Sequence, residues 1–216
     1  MRGPVALCFL FLSSQAFACE TKVCLADPEA LSLTEVITFE STISNPGPGR
    51  NVDILLVMNG AVFGERFAGQ TLAQDRIHDS LSGAALAPLT VLPGAAGQNL
   101  SVVYVNGNNI LNGYGSAGFP KRQAQGEGAI SFLFDEDQSA LAFQIRGGES
   151  GRTEVVFLAR NGAELARLNL PQVGEHDFGF IRADGNADIA GVLLTNEDPQ
   201  GIALDNVRFG HAPDLS

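Results

Sequence analysis

Asp205 and Asn206 interrupt an apolar alternation in Ile202-Ala203-Leu204-Asp205-Asn206-Val207-Arg208-Phe209. Ile202 and Leu204 share one parity, Val207 and Phe209 the other. Successive strand side chains face opposite ways, so both pairs reach one core only if an extra residue is inserted between them. A bulge at Asp205-Asn206 would turn a carboxylate and an amide out of the ladder. Such an oxygen-rich corner suits a hard cation, and a plain kink without ligand is the alternative. Asp184-Gly185-Asn186-Ala187-Asp188 begins like a calcium loop. It then fails, with Ile189 at the turn-glycine position and Thr195 where the bidentate Glu belongs. Asp135-Glu136-Asp137 is another oxygen-rich turn, and solvated turns favour these same residues.

Other chemistries are poorly served. His78-Asp79-Ser80 holds the residue types of a hydrolytic triad, but sequence neighbours seldom converge as one. Ser116 lies in Tyr114-Gly115-Ser116-Ala117-Gly118, which lacks the first glycine of a nucleophile elbow. The histidines, His78, His176 and His211, are too widely spaced for a zinc site. For carbohydrate, Trp is absent and only Tyr104 and Tyr114 carry phenols. Tyr114, in a Gly-rich loop near Asn108, Asn109 and Asn112, is the expected ligand contact. Tyr104 reads as a structural strand residue. A glycosidase needs two facing carboxylates, and sequence alone does not pair them.

The elements that position these residues are short strands. Val36 to Glu40 is the first, with Ile37 and Phe39 alternating inward, and Ile202 to Phe209 the last. Asn59-Gly60 and Asn161-Gly162 signal hairpins with type I′ turns. Thr71 to Gln98 reads as loop-rich, as does Asn112 to Gly128, and long irregular segments commonly carry function. The partner surface is therefore expected in the loops between Gly64 and Gly128, not on the regular strands after Ile130. About ten strands between turn signals indicate an all-β fold, an antiparallel two-sheet sandwich of jelly-roll type. That topology brings the chain ends together and sets Glu40 near Asp205.

The chain has 216 residues, 17% charged, with 25 Gly and a net charge of -11. That acidity argues against nucleic acid or an anionic membrane as partner. Residues 1–18 read as a signal peptide, with Arg2, an apolar run from Val5 to Leu12, and Ala16-Phe17-Ala18 at the cleavage site. No later stretch is long and apolar enough to span a membrane. Residues 19–35 form a lead-in, 36–210 the sandwich domain and 211–216 a tail. Cys19 and Cys24 form an even pair in an oxidising compartment, so a disulfide is expected. Acylation of Cys19 is the rival, opposed by the bulky Phe17.

Three segments resemble uncharacterised secreted bacterial β-sandwich domains of the PEP-CTERM-exported type, galactose-binding-like or jelly-roll in fold. They are Ile37-Thr38-Phe39-Glu40, Phe63 to Thr71, and Gly201 to Val207. In calcium-binding modules of that class, acidic residues of the first and last strands hold a structural Ca2+. The resemblance would carry that role onto Glu40 and Asp205. The Pro-Glu-Pro sorting tail of PEP-CTERM proteins is not seen after His211. The expectation is a secreted or periplasmic, non-catalytic binding or adhesion module, glycan-binding, with a structural calcium. The alternatives are a secreted hydrolase using paired carboxylates and a structural envelope protein.

Overall fold

The computed structural model describes residues 19–75 and 78–210. Residues 1–18, where a signal peptide is expected, and the tail 211–216, with His211, lie outside them. In chain order the strands begin with β1 (Val23–Ala26), β2 (Glu35–Ile37), β3 (Arg50–Val52), β4 (Leu56–Met58), β5 (Ala61–Gly64) and β6 (Arg66–Phe67). Then come β7 (Thr71–Asp75), β8 (His78–Ser82), β9 (Val91–Leu92), β10 (Leu100–Val105), β11 (Asn108–Gly113) and β12 (Ile130–Gln138). The rest are β13 (Ala140–Gly147), β14 (Thr153–Leu158), β15 (Glu164–Leu170), β16 (His176–Arg182), β17 (Ile189–Asn196) and β18 (Ile202–Phe209). Among the described residues no helix is long and apolar enough to cross a membrane.

The expected antiparallel two-sheet sandwich is present. One sheet runs β1-β16-β13-β18-β11-β10-β3, with β2 also paired to β18, and the other runs β15-β14-β17-β12-β5-β4. Period-2 alternation sends Phe132, Phe134 and Phe157 from one sheet against Leu141, Phe143, Phe180 and Leu204 from the other. The rings of Phe157 and Phe180 lie 4.9 Å apart across that interface, and Phe143 packs on Phe180 within its own sheet at the same distance.

β2 lies against β18, with Ile37 opposite Val207, so the first and last strands of the sequence reading are neighbours. The strand ends before Glu40, because Phe39 takes a left-handed φ of 59° and the chain turns. The parity break in β18 is a bulge. Arg208 pairs with Ala142 and Asp205 with Gln144, so β18 holds one residue more than β13 over this span. Asn206 absorbs it at φ 47°, and Ile202, Leu204, Val207 and Phe209 all stay buried.

Several local expectations shift. At Asn59-Gly60 and Asn161-Gly162 only the glycine has positive φ, so neither turn is type I′. Asn106-Gly107 has positive φ at both positions and closes β10 onto β11. Cys19 and Cys24 are joined by a disulfide, and Cys24 stands in β1, so the lead-in is itself part of a sheet.

The largest difference is Thr71 to Gln98, where β7, β8 and β9 form. The segment from β6 to β9 crosses the outer face of the six-stranded sheet. Phe67, Leu89 and Val91 make a second apolar layer there with Val156, Leu158 and Leu193. Gly191 of β17 permits the approach, since a Cβ there would stand 2.7 Å from both the Phe67 ring and Leu89. The β7–β8 hairpin projects beside this layer and is joined to neither main sheet by a strand ladder.

Candidate functional site

Glu40 and Asp205 come close enough for the charge of one to raise the pKa of the other, although burial is the larger cause of the rise at Asp205. Asp205 is fully buried. Its Oδ1 accepts the Asn206 amide at 2.8 Å, and its Oδ2 accepts Asn108 Nδ2 at 2.5 Å and faces Arg146 at 3.4 Å. Glu40 Oε1 accepts the Asn109 amide at 2.7 Å. A calcium ion takes six to eight oxygens. Here three of the four carboxylate oxygens already serve amides, and a guanidinium supplies the positive charge, so this donor set does not fit the ion.

The expected sugar contacts are used internally. Asn108 binds Asp205, and Asn109 Nδ2 donates to the carbonyls of Phe39 and Thr42 at 3.2 and 3.1 Å. Asn112 is buried. Tyr114 is also fully buried, packed on Phe119 with its hydroxyl donating to Pro48 O at 3.3 Å. Its ring offers no face to solvent, whereas Tyr104 is 49% exposed, the reverse of the sequence expectation. In the Asp184–Asp188 turn, the buried Arg182 takes the place of a cation, 3.0 Å from Asp184 and 2.5 Å from Asp188. Asp137 pairs with Arg160 at 2.6 Å. Among the described residues no group of three or more His, Cys, Asp or Glu side chains is placed to hold a metal.

A different place combines space with uncompensated charge. The β7–β8 hairpin and the outer face of the six-stranded sheet enclose a cleft of about 780 Å³. β14, β15 and β17 supply Glu154, Arg167 and Thr195 to its floor, while His78, Asp79 and Ser80 of β8 line the roof. Arg152 and Glu197 stand at the rim. The floor's charges are paired in a chain: Arg152 with Glu197 at 3.0 Å, Arg167 with Glu154, and Arg167 with Glu164 at 2.8 Å.

Behind the roof lies a set of buried carboxyls that the sequence reading did not assemble. Glu65, Asp79, Glu127 and Asp198 are each at most 5% exposed. Asp79 Oδ2 accepts the buried Ala129 amide at 3.0 Å, and the Asp79 amide donates to Glu127 O at 3.2 Å. Asp79 Oδ1 has no partner. Glu65 pairs with Arg66 through Oε2 while its Oε1 has none. Burial pushes Asp79 up to about 7, and the charge of Glu65 adds to the rise against the opposing Ala129 amide and Arg66. Glu127 also rises to about 7, first by burial and then by the charge of Asp198. Its Oε2 lies 2.5 Å from His78 Nδ1.

Asp198 differs from its neighbours. It accepts amides from Ser150 at 2.9 Å and Gln200 at 2.8 Å and closes the turn before β18. The group escapes sequence reading because its members are scattered along the chain; only His78-Asp79-Ser80 is visible as a motif.

No protein-family model matches the chain, and no curated protein matches it. Solved structures of family 29 carbohydrate-binding modules are similar to it. One mutant module is 15% identical, with a TM-score of 0.32 over 54% of this chain and 81% of the module. Another mutant, solved with mannohexaose, is 14% identical, with a TM-score of 0.20 over 50% of this chain and 75% of that one.

Proposed function

We propose that this protein is a secreted or periplasmic binding module that takes a glycan in the cleft under the β7–β8 hairpin. The observation that carries the reading is the cleft itself: about 780 Å³, within the range of ligand sites, and lined by planar polar groups held in fixed pairs. Arg152, Glu154 and Arg167 present donors and acceptors in planar groups, which suits the adjacent hydroxyls of a sugar. Their mutual pairing favours a neutral glycan over a strongly charged one, since a charged ligand would have to break the existing pairs. The partner surface then takes its roof from the Gly64–Gly128 span and its floor from later strands. The export signal in residues 1–18 and the Cys19–Cys24 disulfide support a place outside the cytoplasm.

A glycan-array screen, followed by calorimetry on any hit, tests this. Replacing Glu154 and Arg167 together with Ala should weaken binding at least tenfold, with little effect on stability because both pairs are at the surface. Unchanged binding would remove the cleft from the account.

The hydrolase reading has one observation of its own. Asp79 and Glu127 keep protons up to about pH 7, as the acid of a glycoside hydrolase must. Reducing-sugar release by the parent, lost in Asp79→Asn and Glu127→Gln, would establish it. No release from any glycan that binds would exclude it for those ligands.

A further inference from the structure

Among its described residues, the hairpin that roofs the cleft has little apolar anchorage. Leu81 reaches the outer apolar layer, while the other ties are polar and run through the buried carboxyls. Asp79 holds the Ala129 amide through its side chain and the Glu127 carbonyl through its own amide. His78 meets the Glu127 carboxyl. Each tie joins β8 to the segment between Glu127 and Ala129, so one small polar patch fixes the roof.

We propose that this patch is a proton-operated latch, in which carboxyls buried without enough partners hold the hairpin down while protonated and release it when they ionise. The inference concerns regulation of the cleft named above and rests on that reading only for the identity of the ligand.

Among the described residues the charges facing the latch are few. Asp79 faces Glu65 and Arg66 from the β5–β6 segment. Glu127 faces His78 from β8 and Asp198 from the turn before β18. β17, packed beneath the hairpin, brings neutral Leu193, Thr195 and Asn196 to the cleft. Among the described residues Arg66 is the guanidinium that faces Asp79, and it is already engaged by Glu65 Oε2. Ionisation of Asp79 and Glu127 together with Glu65 would therefore place more negative charge in the patch than Arg66 and His78 can neutralise. Opening exposes the carboxyls to water and returns them to their ordinary range.

The sign follows from that difference. In the closed state Asp79 and Glu127 titrate at about 7, and opening lowers both. Closure is favoured fully below the ordinary carboxyl range of about 4 and is lost as pH rises through about 7. Above that the effect levels off.

Hydrogen exchange read by mass spectrometry, corrected for intrinsic rates, tests the latch without any ligand. The β7–β8 peptides should open at least tenfold more readily at about pH 7.5 than at about pH 5, while β17 peptides change much less. Asp79→Asn keeps an acceptor for the Ala129 amide and removes the charge, so it should flatten the pH dependence and protect the hairpin at the higher pH. Glu127→Gln gives a second, independent reading should the first variant fold poorly. Equal protection at both pH values in the parent would overturn the proposal, and so would full pH dependence surviving in both variants. A working latch in a protein that binds no glycan would sink the glycan reading and leave the latch. Glycan binding in the cleft with a pH-insensitive hairpin would do the opposite.

Discussion

Two buried carboxylate regions in this molecule have been treated in opposite ways by the fold. Asp205, at the bulge in β18, is buried near Glu40, but both its oxygens meet groups that want a negative charge: the Asn206 amide, Asn108 Nδ2 and Arg146. Asp79, under the hairpin, has one amide and a neighbouring carboxyl, and one of its oxygens has no partner. The first region is closed chemistry, in which a carboxylate organises loops around the bulge. The second stores an electrostatic cost beside a cleft. A buried acidic residue is thus weak evidence of a ligand site until its partners are counted.

The sharpest way to break this comparison is at the compensated region. Asp205→Ala strands Arg146 and leaves Asn108 Nδ2 without its acceptor. It should cost about 3 kcal/mol in urea unfolding. A loss below about 1 kcal/mol would mean that the network is not holding the bulge.

The uncompensated region should respond with the opposite sign. Asp79→Asn should gain on the parent by about 2 kcal/mol as pH rises from about 4 to about 7.5. The gain appears because the parent's raised pKa stabilises it at low pH and that stabilisation is lost through about 7. Parallel pH–stability curves for the two proteins would refute it.

A smaller effect is expected at the chain's start. Replacing Cys19 and Cys24 with Ser should cost about 1–2 kcal/mol, because the loop is short even though β1 is paired to β16. Differential scanning calorimetry reads this directly, and a loss much larger would show that β1 nucleates its sheet. The smallest effect belongs to calcium. Melts in calcium and in excess chelator should agree within about 1 °C, whereas a bound ion at 100 times its dissociation constant would shift them by roughly 5–10 °C.

The two regions also differ in how legible they were in the sequence. Asp205-Asn206 stood out because a bulge leaves a mark in one dimension: alternation changes parity within one strand. The neighbourhood of β2 and β18 followed from topology, and with it the approach of Glu40. The Asn108, Asn109 and Asn112 reading located a polar region correctly but not its partners, because an amide beside a buried carboxylate looks the same in sequence as one facing solvent. The hairpin was read as loop, since Thr71–Asp75 and His78–Ser82 hold few apolar residues to alternate. Its burial is polar and comes from Glu127 and Ala129, far along the chain. Tyr114 was misleading for a related reason. A Gly-rich loop reads as exposed, yet this one folds back on itself and packs the ring against Phe119.

Direct titration of the side-chain carboxyl carbons by NMR tests the central claim most closely. The account predicts that Asp79 and Glu127 both titrate at about 7, and that each signal disappears in its own amide variant. Both residues titrating below about 5, in the ordinary carboxyl range, would show that water or an unseen partner already satisfies them. The contrast with Asp205, and the latch built on it, would then be gone.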